Sequence, residues 1–162
     1  AWGITGIGIP DCILRALDEK TRPAAVQCIT NLLDSPGELQ YFPGPSRARE
    51  LIAATKATGS GVLGIRPVQG GALCDTLDRD LPEGHGVVVD FAKSEGFRTL
   101  AAELGTSAAA LAHRYALTMD DVDTVVLGCK NREELAECVA AEAAGPLETE
   151  IVARIDASVP QS

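Results

Sequence analysis

The sequence predicts an α/β fold whose strands form a parallel sheet, and two observations support this. Four short apolar runs alternate with amphipathic segments of about ten to fifteen residues, as in repeated βα units. Two of the runs, Gly61–Ile65 and residues 124–127, lead into glycine-bearing polar sequence. No dinucleotide-binding motif G-x-G-x-x-G follows the first run, and Gly3, Gly6 and Gly8 indicate close packing instead.

The first two units follow from apolar runs and proline positions. Residues 2–7 form the first predicted strand, and a helix begins near Pro10, since proline suits a first helical turn. The second strand covers residues 24–29. Residues 31–45 contain three prolines and two glycines and are therefore a loop. The next helix spans residues 46–58, with its first serine as N-cap.

The third unit carries an unusual excursion between strand and helix. Its strand is Gly61–Ile65, and residues 70–86 form a polar, glycine-bearing segment whose length favours a functional or mobile role. Helical patterns return at residues 88–104 and 107–119. Gly105 separates these two helices.

The fourth unit completes a chain that we predict to be a single domain over residues 1–162. Its strand covers residues 124–127, and Asn131 with Glu134 resembles a capping box at the start of a helix ending near Ala144. A last amphipathic helix covers residues 147–159. The apolar first strand starts at residue 2, which indicates that the natural sequence continues upstream.

Composition excludes several classes of partner. The net charge of −9 disfavours binding to nucleic acid. The sequence contains no run of 18 apolar residues, so no membrane span is predicted. Five cysteines without a C-x-x-C pair indicate reduced thiols in a cytoplasmic protein. With only His85 and His113 as histidines, the sequence predicts no metal site.

Five segments in order resemble one family: WGITGI, AVQCITNLLD, VLGIRPVQGGAL, LGTSAAALAHRYAL and VVLGCKNREELAE. Together they resemble the C-terminal half of the aldo-keto reductases, from the fifth strand to the eighth helix. In that family a (β/α)8 TIM-type barrel binds NADP(H) and reduces aldehydes and ketones. The resemblance therefore implies that this chain forms about half of such a barrel.

The resemblance also implies that catalytic residues are absent from this chain. The family's catalytic Asp, Tyr, Lys and His lie on its first four strands, which the resemblance does not cover. The tyrosine Tyr115 is expected to pack within a helix, and His113 on the same helix is expected to be structural. His85 is expected to be a solvated loop residue.

Cofactor contacts are implied along the strand ends that are present. Thr5 and Gln27 match the positions that hold the nicotinamide carboxamide. Ile65 falls where many members place an aromatic residue against the nicotinamide, so an aliphatic side chain would cover that face. Arg66 needs a counter-charge if buried, either the pyrophosphate or a carboxylate such as Asp75.

Two further segments match phosphate-binding positions of the family. Val68 and Gly70 belong to the stretch that resembles the loop around the pyrophosphate. Gly128, Lys130 and Arg132 flank a helix N-terminus, where unpaired N–H groups attract phosphate.

Two residues depart from the family's pattern in the last unit. Glu134 stands where many members carry an arginine for the 2′-phosphate, and Cys138 stands where an asparagine often contacts adenine. Three interpretations remain open: Lys130 and Arg132 compensate, the site prefers NAD(H), or the site is vestigial. A capped, solvated helix start is the alternative that involves no cofactor.

Two functions follow from the resemblance. The first is the cofactor-binding half of an NADP(H)-dependent oxidoreductase of small aldehydes or ketones, inactive alone. The alternative is a non-catalytic half-barrel that oligomerises as a structural or ligand-binding unit. A half-barrel exposes two sheet edges, so we expect a partner, either a missing N-terminal half-barrel or a second copy of the chain. A truncated or proteolytic fragment of a full reductase is a further possibility.

Overall fold

The computed structural model describes residues 1–160 and contains one parallel sheet of four strands. The strands are β1 (Gly3–Thr5), β2 (Ala25–Ile29), β3 (Gly61–Ile65) and β4 (Thr124–Val125). Their order in the sheet is β1-β2-β3-β4, and every neighbouring pair is parallel. This sequential order is that of a (β/α) barrel, whereas a doubly wound sheet reverses direction. The predicted fold class is confirmed.

Helices follow the strands as the alternation predicts. Within residues 1–160 there are seven α-helices: α1 (Pro10–Asp18), α2 (Ala48–Ala57), α3 (Gly86–Lys93), α4 (Glu95–Glu103), α5 (Ala108–Thr118), α6 (Arg132–Ala143) and α7 (Thr149–Ala157). Two short 3-10 turns, Gly37–Leu39 and Gln69–Gly71, lie in the loops after β2 and β3. No helix in this part of the chain is long and apolar enough to cross a membrane.

The two faces of the sheet have different surroundings. On one face Val26 and Val62 are fully buried and cluster with Leu17 of α1 and Ile52 of α2. Side chains alternate between faces along a strand, so the residues between them point to the other side. No helix within residues 1–160 covers that second face, which carries Thr5, Gln27 and Leu63 and which we call the bare face.

A larger apolar cluster lies among the later helices. Phe97, Leu111 and Ile155, from α4, α5 and α7, are almost completely buried together with Leu73 and Tyr115. Burial of these side chains is the main stabilising contribution to this part of the fold. It holds α4, α5 and α7 together beside the loop that follows β3.

Several predicted element boundaries were wrong. Strands β1 and β4 are shorter than predicted. Ser46 is not the N-cap of α2, because its hydroxyl donates to the carbonyl of Asp34 and Arg47 occupies the cap with φ +51°. The predicted helix over 88–104 is two helices, which meet at the buried Ser94.

Candidate functional site

The carboxyl ends of β2 and β3 are joined by one buried asparagine. The side-chain amide of Asn31 donates to the backbone oxygens of Ser35 (3.0 Å) and Arg66 (3.1 Å). Its oxygen accepts from the backbone N–H groups of Leu33 and Ser35. Because active sites of (β/α) barrels lie at the carboxyl ends of the strands, this asparagine fixes two loops at the functional end of the fold.

A second polar group, Gln69, extends this network to α3. Gln69 is fully buried, and its amide donates to Asp90 Oδ2 at 2.6 Å and to Ser35 Oγ at 3.1 Å. Ser35 Oγ in turn donates to the same carboxylate oxygen at 2.6 Å. Gln69 Oε1 accepts from Arg66 Nε at 2.8 Å. Arg66 and Gln69 both adopt left-handed backbone conformations, with φ of +60° and +49°.

The carboxylate of Glu38 is the counter-charge of Arg66 in this structure. Its guanidinium lies 2.9 Å from Glu38 Oε2 in an ion pair that is mostly shielded from solvent. Asp75, the carboxylate that we considered from sequence, instead accepts the backbone N–H of Ala108 at the start of α5 (3.2 Å). Arg66 is thus paired with a carboxylate, but with Glu38 and not with Asp75. Its contact with the cofactor pyrophosphate stays a prediction.

Thr5 and Gln27 lie side by side on the bare face. The strand register places Thr5 opposite Gln27, Gln27 opposite Leu63, and Leu63 opposite Thr124. Thr5 and Gln27 are exposed, and their row borders a shallow cavity of about 330 Å³. Thr5 Oγ1 accepts from the backbone N–H of Ile7 (3.3 Å), whereas the Gln27 amide contacts no hydrogen-bonding partner within residues 1–160.

Val68 and Gly70 form the tight turn after β3. Gly70 has φ +61°, and a Cβ there would lie 3.1 Å from Arg66 Nη2 and 3.2 Å from Val87 Cγ2. The positive φ favours glycine, and a Cβ would require the side chains of Arg66 and Val87 to shift by a few tenths of an ångström. Val68 is half-buried and packs against the cluster of α4, α5 and α7, so its side chain serves the core.

Lys130 and Arg132 differ in their electrostatic surroundings. The Lys130 ammonium is hydrogen-bonded to Asp78 and lies 3.3 Å from Glu134, and these two contacts raise the pKa of Lys130. Arg132 is exposed and makes no ion pair in the described part of the chain. Gly128 is also exposed, and a Cβ added there would meet no atom within 4 Å.

The start of α6 is capped largely as predicted. Asn131 Oδ1 accepts the backbone N–H of Glu134 at 2.8 Å, and Glu134 reaches back to the backbone N–H of Lys130. In a standard capping box the glutamate would reach the N-cap residue itself. Glu134 thus occupies a backbone donor that an anion at this helix terminus would otherwise use.

The excursion over residues 70–86 brings the two predicted phosphate-binding regions together. Arg79 donates to the carbonyl of Gly70 at 2.8 Å and lies 3.6 Å from Asp78. Asp78 contacts Lys130, so a chain of side chains connects the turn after β3 to the loop after β4. Sequence reasoning missed Arg79 and Asp78, although the length of the excursion was the available signal.

A larger hollow of about 820 Å³ lies on the helix side, bordered by the loop after β2, α2, α3 and the end of α7. Next to it, Arg49 contacts Asp34 (2.8 Å) and the Tyr115 hydroxyl (2.8 Å), which donates to Asp156 (2.6 Å). Burial, helped by the bond to Asp156, raises the pKa of Tyr115 to about 12. These residues are far apart in sequence, so no motif could reveal them.

The two histidines have structural positions. His85 was expected to be a solvated loop residue, but it is half-buried and caps α3 by accepting the backbone N–H of Val87 at Nδ1. His113 is buried against Cys138. Among residues 1–160 no cluster of three or more His, Cys, Asp or Glu side chains could hold a metal ion.

The sheet order, the helices on one face and the polar network at the carboxyl ends of the strands define a partial (β/α) barrel. The sequence model of the aldo/keto reductase family matches residues 1–160. The chain therefore belongs to the aldo/keto reductase family. No curated protein sequence matches it significantly.

Solved structures of aldo-keto reductases share this fold. The holo form of aldo-keto reductase AKR11C1 from Bacillus halodurans is 25% identical, with a TM-score of 0.68 over 98% of this chain and 49% of its own length. The apo form is 24% identical, with a TM-score of 0.66 over 93% and 48%. Glycerol dehydrogenase AKR11B4 from Gluconobacter oxydans is 17% identical, with a TM-score of 0.60 over 84% and 42%. The chain thus spans about half the length of these structures.

Proposed function

We propose that this chain is the cofactor-binding half of an NADP(H)- or NAD(H)-dependent oxidoreductase of small aldehydes and ketones. It corresponds to the C-terminal half of the aldo-keto reductase barrel. The observation that carries the proposal is the row of Thr5 and Gln27 on the bare face, beside the glycine turn after β3, in a chain of this family. All five cysteines are unpaired, in keeping with a cytoplasmic location.

The side chains on the bare face have the chemistry that a nicotinamide ring needs. Its carboxamide both donates and accepts hydrogen bonds, and the partnerless amide of Gln27 offers both functions. The exposed hydroxyl of Thr5 lies in the neighbouring position. When bound, the cofactor supplies the hydride, and these residues would hold and orient its ring.

The phosphate-binding end is less favourable, and this bears on the choice of cofactor. Lys130 is paired with Asp78 and Glu134, which leaves Arg132 as the cation at the start of α6 without a carboxylate partner in the described structure. A 2′-phosphate bound by Lys130 would meet the two carboxylates that Lys130 already contacts. We therefore expect NADH to bind at least as tightly as NADPH, although NADP(H) is the cofactor that the family resemblance implies.

Cofactor titration of the purified chain tests the proposal. Binding to the chain should change the nicotinamide fluorescence of both NADPH and NADH. Gln27→Leu should weaken the binding of both cofactors equally. Arg132→Glu should weaken the binding of NADPH more than the binding of NADH. Its matched control is Arg22→Glu, which makes the same charge change at an exposed site in the loop that enters β2. Absence of binding at high cofactor concentration would overturn the proposal.

The free edges and the bare face of the sheet favour the presence of a partner. Strands β1 and β4 each have a free edge within the described structure, and Trp2 and Val126 remain about half exposed. Barrels fill their interiors with side chains from all eight strands, so we propose that an N-terminal half-barrel or a second copy covers the bare face. The resemblance places the catalytic residues in the other half, so we expect no carbonyl reduction by this chain alone.

The same exposed face favours a second candidate function, a non-catalytic half-barrel that oligomerises. Sedimentation equilibrium combined with the cofactor titration separates the two. A stable dimer that binds neither NADPH nor NADH would support the structural unit. A chain that binds cofactor and gains carbonyl reductase activity when mixed with an N-terminal half-barrel would support the reductase.

A further inference from the structure

Two cysteines meet where the loop after β4 contacts α6. Cys129 Sγ and Cys138 Sγ lie 3.8 Å apart, although nine positions separate them in sequence. No other two of the five cysteines lie within hydrogen-bonding distance of each other in residues 1–160. The two thiols also differ in access, because Cys129 is exposed and Cys138 is buried. This arrangement gives one thiol that solvent oxidants reach and one that is held directly behind it.

A histidine stands on the inner side of the pair. His113 Nδ1 lies 3.4 Å from Cys138 Sγ, and the ring is buried. Burial lowers the pKa of His113, so near neutral pH the ring is uncharged and has one nitrogen able to accept a proton. Burial also raises the pKa of Cys138 to about 11, so this thiol keeps its proton until a base removes it. His113 contacts this thiol and can pass its proton on as the Cys138 sulfur bonds to Cys129.

The loop allows the two sulfur atoms to bond. A disulfide has an S–S distance of about 2.05 Å, so Cys129 must approach Cys138 by about 1.8 Å. Cys129 lies between β4 and α6, outside any helix or strand, and a Cβ added to its neighbour Gly128 would meet no atom within 4 Å. A small rotation of this loop therefore closes the gap without moving the core.

We propose that Cys129 and Cys138 form a reversible disulfide when the protein meets a hydroperoxide such as hydrogen peroxide. The Cys129 thiol gives up its proton to solvent, its sulfur attacks one peroxide oxygen and the O–O bond breaks. Cys129 becomes a sulfenic acid, and the hydroxide that leaves takes up a proton from solvent to form water. Cys138 sulfur then attacks the Cys129 sulfur and displaces hydroxide. The Cys138 proton passes through His113 to that hydroxide, which leaves as water. Overall, two thiols and one hydrogen peroxide give one disulfide and two water molecules.

Mass spectrometry of the reduced, purified chain tests the proposal. Hydrogen peroxide should lower the mass by about 2 Da with the loss of two free thiols, and dithiothreitol should restore both. Trypsin cuts at Lys130 and Arg132, so Cys129 and Cys138 fall on separate peptides that the disulfide joins. A joined pair of these peptides is the expected product.

Variants distinguish the two cysteines. Cys138→Ser should leave Cys129 as a sulfenic acid that dimedone traps, whereas Cys129→Ser should abolish the cross-link. Cys12→Ser is the matched control, because Cys12 is also exposed but lies on α1, and it should leave the cross-link unchanged. The proposal fails if wild-type protein accumulates dimedone-reactive Cys129 without a cross-link, if other cysteines are joined instead, or if no thiols are lost. If Cys138→Ser does not fold, the cross-link and thiol count of the wild-type protein still decide whether the proposal is correct.

Discussion

Replacing Gln69 by leucine should destabilise the fold strongly, because this side chain connects two charged groups away from water. Leucine keeps a similar size but loses the 2.6 Å bond to Asp90 and the 2.8 Å bond from Arg66. Hydrogen bonds to charged groups contribute about 1.5–3 kcal/mol each, so the two together predict a loss of about 3–6 kcal/mol. Since domains have about 5–15 kcal/mol of stability, Gln69→Leu should fold only marginally.

Urea unfolding followed by circular dichroism measures this loss. Gln40→Leu is the control, because within residues 1–160 the exposed Gln40 amide donates only to the carbonyls of Phe42 and Gly44. That change should alter the free energy of unfolding by less than about 0.5 kcal/mol. A loss below about 1 kcal/mol for Gln69→Leu would refute the reasoning, because it would mean that Asp90 and Arg66 find equivalent partners without Gln69.

Two further predictions concern pH and packing. Since the pKa of Tyr115 is raised from 10.0 to about 12, its stabilisation is complete below pH 10 and is lost as pH rises towards 12. In a Tyr41→Phe background, tyrosinate absorbance should report the raised pKa, and the free energy of unfolding should fall by about 2–3 kcal/mol across that range; titration at the ordinary pKa would contradict this. Gly64→Ala should cost about 1–3 kcal/mol, because the new Cβ would lie 2.6 Å from Thr30 Oγ1. Gly128→Ala, in open space, should be nearly neutral, and equal losses in thermal unfolding of the two variants would show that the Thr30 contact relaxes.

Local sequence signals predicted the elements well where the controlling interactions were themselves local. Strand β3 begins and ends at the predicted residues, Pro10 begins α1, and Asn131 caps α6. Each of these depends on side chains within a few positions. The same is true of Ser107, whose hydroxyl accepts the backbone N–H of Ala110 at the start of α5.

Tertiary contacts explain what the sequence could not predict. Ser46 looked like a helix cap, but its hydroxyl bonds to Asp34, twelve positions earlier. The break between α3 and α4 lies beside Gly96, where a Cβ would lie 2.3 Å from the carbonyl oxygen of Ser158. The partner of Arg66 is Glu38, 28 residues away in a different loop. Such pairings depend on how loops from different strands meet, and no local pattern encodes them.

Some site residues could be identified from the sequence, and others only from the three-dimensional structure. The family resemblance identified Thr5 and Gln27, and the strand register places them side by side. It did not indicate that Asp78 and Arg79 connect the turn after β3 to Lys130, because these residues belong to an excursion without regular structure. Their contribution follows from charge and position in three dimensions. The binding roles of these residues remain predictions for the titrations to test.

The order of strands in the sheet has a consequence for how the chain folds. Every strand pairs with the strand that immediately precedes or follows it in sequence, so no pairing joins distant ends of the chain. Folding rates fall as contacting residues become more distant in sequence, and this order keeps those distances short for a parallel sheet. Each βα unit can dock onto the unit that precedes it, so these four strands can join the sheet in the order in which they are synthesised.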